Sequence, residues 1–157
     1  MEHAMKTNGK GIVLFLVLCP VSLLLLMIVL LLAGTRIWAA VQKPVIRHRV
    51  IEYLDERTAQ AEYDLAVSDG YTWTADMYIP ETGDTVWYRE AGFGIAPSSR
   101  EFGYCYTADG DPHPYPGMEN YNEVPVMFGF RWEEPGGDNG CYLEHIAGNL
   151  YYYEVWF

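Results

Sequence analysis

The stretch "AEYDLAVSDGYTWTADMYI", Ala61 to Ile79, is where the period of the apolar residues changes. Upstream, in "PVIRHRVIEYLDERTAQA" (Pro44–Ala61), Ile46, Val50, Leu54 and Ala61 recur at helical spacing, with Val45 and Ile51 beside them. Arg47, Glu52, Asp55 and Glu56 lie mostly elsewhere on the wheel. That is the pattern of a helix laid on a sheet, and Pro44 suits its first turn. Downstream the period is two. "EYDLAVS" leads to the turn pair Asp69-Gly70 and then to a strand with Tyr71, Trp73, Ala75, Met77 and Ile79 on one face. The switch from 3.6 to 2 predicts an α+β domain.

Beyond it, "PETGD" (80–84) is a turn and "TVWYRE" (85–90) a strand. Gly92, Gly94, Pro97, Ser98 and Ser99 mark a looser link to "FGYCYT" (102–107). In "VPVMFGFRW" (124–132) Val124, Val126, Phe128, Phe130 and Trp132 would share a face. "CYLEHIA" and "LYYYEVWF" flank Gly148-Asn149, a two-residue hairpin signal. The expected fold is an amphipathic helix packed on an antiparallel sheet of about six or seven strands.

Before this domain, "IVLFLVLCPVSLLLLMIVLLLA" (12–33) holds 22 residues without a charge. As a helix it would cover roughly 33 Å, enough for the ~30 Å hydrocarbon core of a bilayer. A cleaved signal peptide has a shorter core and small residues at −1 and −3. Cuts after Gly34, Ala39 or Ala40 would place Leu32, Ile37 or Trp38 at −3. A pilin-type leader is a rival, since "KGIVLFL" ends a basic leader in Gly, but Leu16 stands where such proteins usually carry Glu. The favoured division is a short basic tail (1–11), a transmembrane helix (12–33), a juxtamembrane linker (34–43) and an acidic, aromatic-rich domain (44–157).

Charge is split between these parts. Residues 1–43 carry a net +3, whereas 44–157 carry six arginines, no lysine and twenty acids, a net −14. Such a domain repels phosphate backbones, which excludes nucleic acid as a partner. The basic residues near the anchor, Lys6 and Lys10 before it and Arg36, Lys43, Arg47 and Arg49 after it, leave its orientation open. Cys105 and Cys141 are the domain's two cysteines. A disulfide between them would close a loop of about 37 residues, stabilise by roughly 3–4 kcal/mol, and place the domain in an oxidising, extracytoplasmic compartment.

"VIRHRVIEYLDER" followed by "YDLAVSDGYTWTADMYIP" resembles small bacterial single-pass membrane proteins with a cystatin-like helix-on-sheet domain. The resemblance covers roughly residues 44–90. It implies a bacterial envelope protein and supplies no activity.

Three constellations are candidates for a site. In "GYCYTADGDPHPYPG" (103–117) Asp109, Asp111 and His113 alternate, so an extended strand would aim two carboxylates and an imidazole at one cation. Pro112 and Pro114 favour a polyproline geometry that splays them, which makes a solvated loop the plainer interpretation. Glu133, Glu134 and Asp138 surround "PGG" and suit a solvated turn better than a calcium site. Trp87, Trp132, Tyr151 and Tyr153 form a candidate aromatic binding surface, against the alternative that the sheet builds its core from such rings. No phosphate-binding loop, dinucleotide fingerprint, zinc signature or nucleophile elbow is present, so no catalytic residue, metal or cofactor is assigned. The expected function is a membrane-anchored, non-catalytic module that binds another envelope protein. The alternatives are an envelope enzyme or cell-wall glycan binder, and a pilin-like subunit.

Overall fold

The computed structural model describes residues 9–95 and 98–157, with side chains over 20–27, 37–38, 40–94 and 99–157. The chain divides into two compact units, Met1–Trp38 and Ala39–Phe157. Helix α1 spans Gly9–Glu52 and so continues through both the expected linker and Pro44, where a helix start was expected. In the first unit Val21 and Leu23 to Met27 carry exposed apolar side chains. Over the described residues no helix is long and apolar enough to cross a membrane. Of the run 12–33, side chains are described only at 20–27, so the expected anchor lies mostly outside them.

In the second unit α1 ends at Glu52 and α2 follows over Leu54–Val67. "EYDLAVS" is therefore helix, not strand. Ala61 and Leu65, four apart, both reach the core, and the acids between them fall outside it. The expected strand 71–79 is a hairpin of β1 (Thr72–Trp73) and β2 (Met77–Ile79). Thr74 folds it: its hydroxyl accepts from the Met77 amide at 3.0 Å, and its amide donates to the Met77 carbonyl at 2.8 Å. Then come β3 (Thr85–Ile95), β4 (Ser98–Thr107), β5 (Asn122–Glu123), β6 (Phe130–Glu133), β7 (Gly140–Ala147) and β8 (Leu150–Trp156). The expected strand 124–132 survives only as β6. Residues 124–129 form a loop whose Met127 and Phe128 stand in solvent.

The eight strands form one antiparallel sheet in the order β1-β2-β3-β4-β8-β7-β6-β5. Two four-strand meanders are thus zipped together along β4 and β8, with Tyr104 opposite Tyr152 and Cys105 opposite Tyr151. Both faces are covered. On one, Ile46, Val50 and Ala61 of the helices pack on Val86, Phe102, Tyr104, Leu150 and Tyr152. On the other, Trp87, Cys105, Cys141, Leu143, Tyr151, Tyr153 and Val155 pack beneath Tyr115 and Met118, which belong to the β4–β5 connection. Alternation along β8 supplies both cores from one strand.

The expected disulfide is not made. Cys105 and Cys141 are free and buried. β8 lies between their strands, and Cys105 is level with Tyr151 while Cys141 is level with Val155. Two strand spacings and four residues of stagger put them roughly 15 Å apart along the sheet. A bridge requires about 4.4–6.8 Å between Cα atoms. The 103–117 stretch is held by packing, with Tyr115 and, just beyond it, Met118 as its anchors. The outward orientation inferred from the bridge loses its support.

Candidate functional site

Gly103 on β4 has no side chain, and the Tyr153 ring and the Tyr88 carbonyl occupy the place of one. A Cβ there would lie 2.7 Å from the ring and 1.9 Å from the oxygen. Tyr153 can therefore lie flat on the sheet, edge to face with Trp87 of β3, at 5.2 Å and 74°. Tyr115 comes down from the β4–β5 connection to meet Trp87 at 5.1 Å and 71°. Tyr78 of β2 stacks on Tyr115 at 6.4 Å, and Trp73 of β1 meets Tyr78 at 5.1 Å and 74°. These five rings enclose a cleft of about 90 Å³ beside the β1 edge of the sheet. Thr74, Ala75, Met77, Arg89 and Glu101 complete its wall, with the Arg89–Glu101 ion pair separated by 3.5 Å. The inner rings are buried and rigid; Trp73 is 61% exposed and Tyr71 beside it 58%.

Burial chiefly raises the pKa of Tyr78, with Tyr71, Glu119 and Glu81 adding to it. Burial likewise raises Tyr115, followed by Glu101, against which Arg89 works. Glu101 is the carboxylate of the cleft wall, and Arg89 stands against it. Two broader hollows flank the domain. One of about 310 Å³ lies between Pro80, Asp84, His113 and Pro116. The other, about 400 Å³, separates α2 from the β7–β8 turn.

The sequence candidates fall differently. Trp87, Trp132, Tyr151 and Tyr153 are all buried, so the proposed aromatic surface is core. Trp87 and Tyr153 line the cleft, and Trp87 also borders the hollow beside His113. Trp73, exposed, lies on a two-residue edge strand that the expected long strand concealed, and Tyr71, also exposed, immediately precedes it. The cation site is not assembled either. Asp109 accepts from the Asp111 amide with one oxygen and faces His113 Nε2 with the other, each at 3.0 Å. Those contacts, the Asp111 amide first, hold its carboxyl below the usual range. Among the described residues no group of three His, Cys, Asp or Glu side chains is placed to hold a metal. Glu133 pairs with Arg131, and Glu134 accepts from Asn139 at 2.9 Å.

Neither domain cysteine is set up for nucleophilic chemistry. Burial, then Cys141, raises Cys105 well above the thiol range, and burial pushes Cys141 up to about 11. His145 meets the Gly148 carbonyl at 2.8 Å, His113 faces Asp109, and His48 lies 3.9 Å from Glu52.

No family model, curated protein or solved structure matches the chain. The cystatin-like resemblance therefore rests on residue pattern alone. The site must be interpreted from its own chemistry.

Proposed function

We propose that the chain is a membrane-tethered, non-catalytic protein-interaction module that presents the β1–β2 edge of its sheet to another membrane-associated protein. The observation that carries this is the pair of exposed rings, Trp73 on the terminal strand and Tyr71 just before it, beside an aromatic cleft. Rigid aromatics at the margin of a buried cluster supply contact area at little conformational cost. The inert thiols and the occupied histidines agree with a binding role. The tether is supported by the 22 uncharged residues of 12–33 and by the exposed apolar side chains within them, surface of a kind that water does not favour.

Site-specific photo-crosslinking in intact cells tests the proposal. A photoreactive phenylalanine at position 71 should give a discrete adduct that Trp73→Ala abolishes. The same probe at Tyr63, exposed on α2, should not give it. Equal labelling from both positions, or none from 71, would refute the interface. Alkaline extraction that releases the full chain from membranes would refute the tether.

A further inference from the structure

We infer that the aromatic cleft receives one cationic side chain, an arginine or lysine from a basic segment of the partner. The inference rests on the interaction-module reading and names what that edge recognises. Three observations converge on it. First, the walls are aromatic. Trp73 stands at 74° to Tyr78, and Trp87 at 71° and 74° to Tyr115 and Tyr153, while Tyr78 stacks on Tyr115. A space of about 90 Å³ bordered by these rings suits a compact cation held against π-faces.

Second, the wall carries one carboxylate and one guanidinium, Glu101 and Arg89, and the carboxylate is not fully used. Arg89 does not saturate Glu101. Its Nε stays 3.5 Å from the carboxylate, beyond the 2.7–2.9 Å of a charge-assisted hydrogen bond. Its guanidinium is turned instead toward Gly92, where a Cβ would meet Nη2 at 2.6 Å. One acid in the wall thus retains capacity for a second cation. Third, the net −14 of residues 44–157 attracts a basic partner from a distance and raises its association rate.

The test uses the full chain in polyoxyethylene-detergent micelles, which present neither sugar nor choline. Indole N–H resonances are followed while N-acetyl-arginine amide, tetramethylammonium or N-acetylglucosamine is titrated in. The arginine probe should shift the Trp73 and Trp87 indoles saturably. Trp73→Ala should weaken that binding roughly fivefold or more, the size of a partly exposed cation–π contact. Glu101→Gln should weaken it at least a few fold, and the rest of the spectrum should stay unchanged in both variants. Absence of a saturable shift with the arginine probe would overturn the inference. So would a response to the sugar in place of the cations, which would indicate a glycan site, or clearly tighter tetramethylammonium binding, which would indicate a quaternary head-group. Undiminished binding in Trp73→Ala would place the probe elsewhere. A failed titration with a surviving crosslink from position 71 would remove the cationic occupant and keep the interface; loss of both would remove both.

Discussion

At Cys105 and Cys141 the surroundings settle the chemistry. Both thiols lie in the core between the sheet and the β4–β5 connection, where an anionic sulfur has little solvation. With Cys141 pushed up to about 11, its thiolate is scarce at pH 8. Native protein treated with iodoacetamide at pH 8 should leave both positions unmodified for hours, and denatured protein should label both without prior reduction. A mass showing the two joined would contradict the register of β4, β8 and β7. Gly103 makes a second prediction. Gly103→Ala would drive a methyl into the Tyr88 carbonyl and the Tyr153 ring, so a loss of about 3 kcal/mol or more is expected in denaturant unfolding. The sequence showed that both cysteines belong to strands. It did not show their separation, because register is set by non-local pairing. Gly103 gave no local signal at all: its requirement comes from residues 15 behind and 50 ahead in the chain.

Among the elements, the helices are held to the sheet by ion pairs as well as by Ile46, Val50 and Ala61. Lys43 and Arg47 both bond Glu144 of β7, and Arg49 and Arg57 pair with Glu90 of β3. Lys43 also lies 5.2 Å above the Tyr142 ring. Burial, the largest single influence on Glu144, raises its pKa, but Lys43, Tyr142 and Arg47 together outweigh it and leave it below 4.5. A carboxyl depressed on folding stabilises above its unfolded pKa, and that stability fades as pH falls through the folded value. Glu144→Gln should therefore cost about 1–2 kcal/mol at pH 7 and progressively less as pH falls through the folded value, which flattens the acid limb of the thermal-midpoint curve. A curve parallel to that of the parent chain would count against the pairing. In the sequence Lys43, Arg47 and Arg49 stand as topology signals beside the anchor. Their partners lie about 40 to 100 residues away, so no local pattern could show them. The β4–β5 connection was likewise legible as a loop, yet its use as a cover for the second core depended on Tyr115 alone reaching four other rings. Tyr115→Ala should cost roughly 2–4 kcal/mol and enhance proteolysis within 108–121.

For the whole molecule, the decisive boundary is the one between the compact units at Trp38 and Ala39, since it cuts a continuous helix rather than a linker. The 14 residues from Ala39 to Glu52 carry Lys43, Ile46, Arg47 and Val50, all used by the sheet, so they belong to the domain as much as any strand does. A chain starting at Ala39 should retain every such contact and melt in one cooperative transition. A chain starting at Tyr53 keeps α2 and all eight strands but uncovers Phe102, Tyr104 and Tyr152 and leaves Glu144 without its two cations. Burying Ile46 and Val50 contributes about 1.5–3 kcal/mol apiece, a large share of the 5–15 kcal/mol that an ordinary domain has in all. The shorter chain should therefore lose its cooperative transition, bind a hydrophobic dye and aggregate. Circular dichroism melting of the two fragments checks this directly. If the chain from Tyr53 melts as sharply and at the same temperature as the chain from Ala39, the end of α1 is not part of the fold, and the helix face of the sheet must be stabilised by α2 alone.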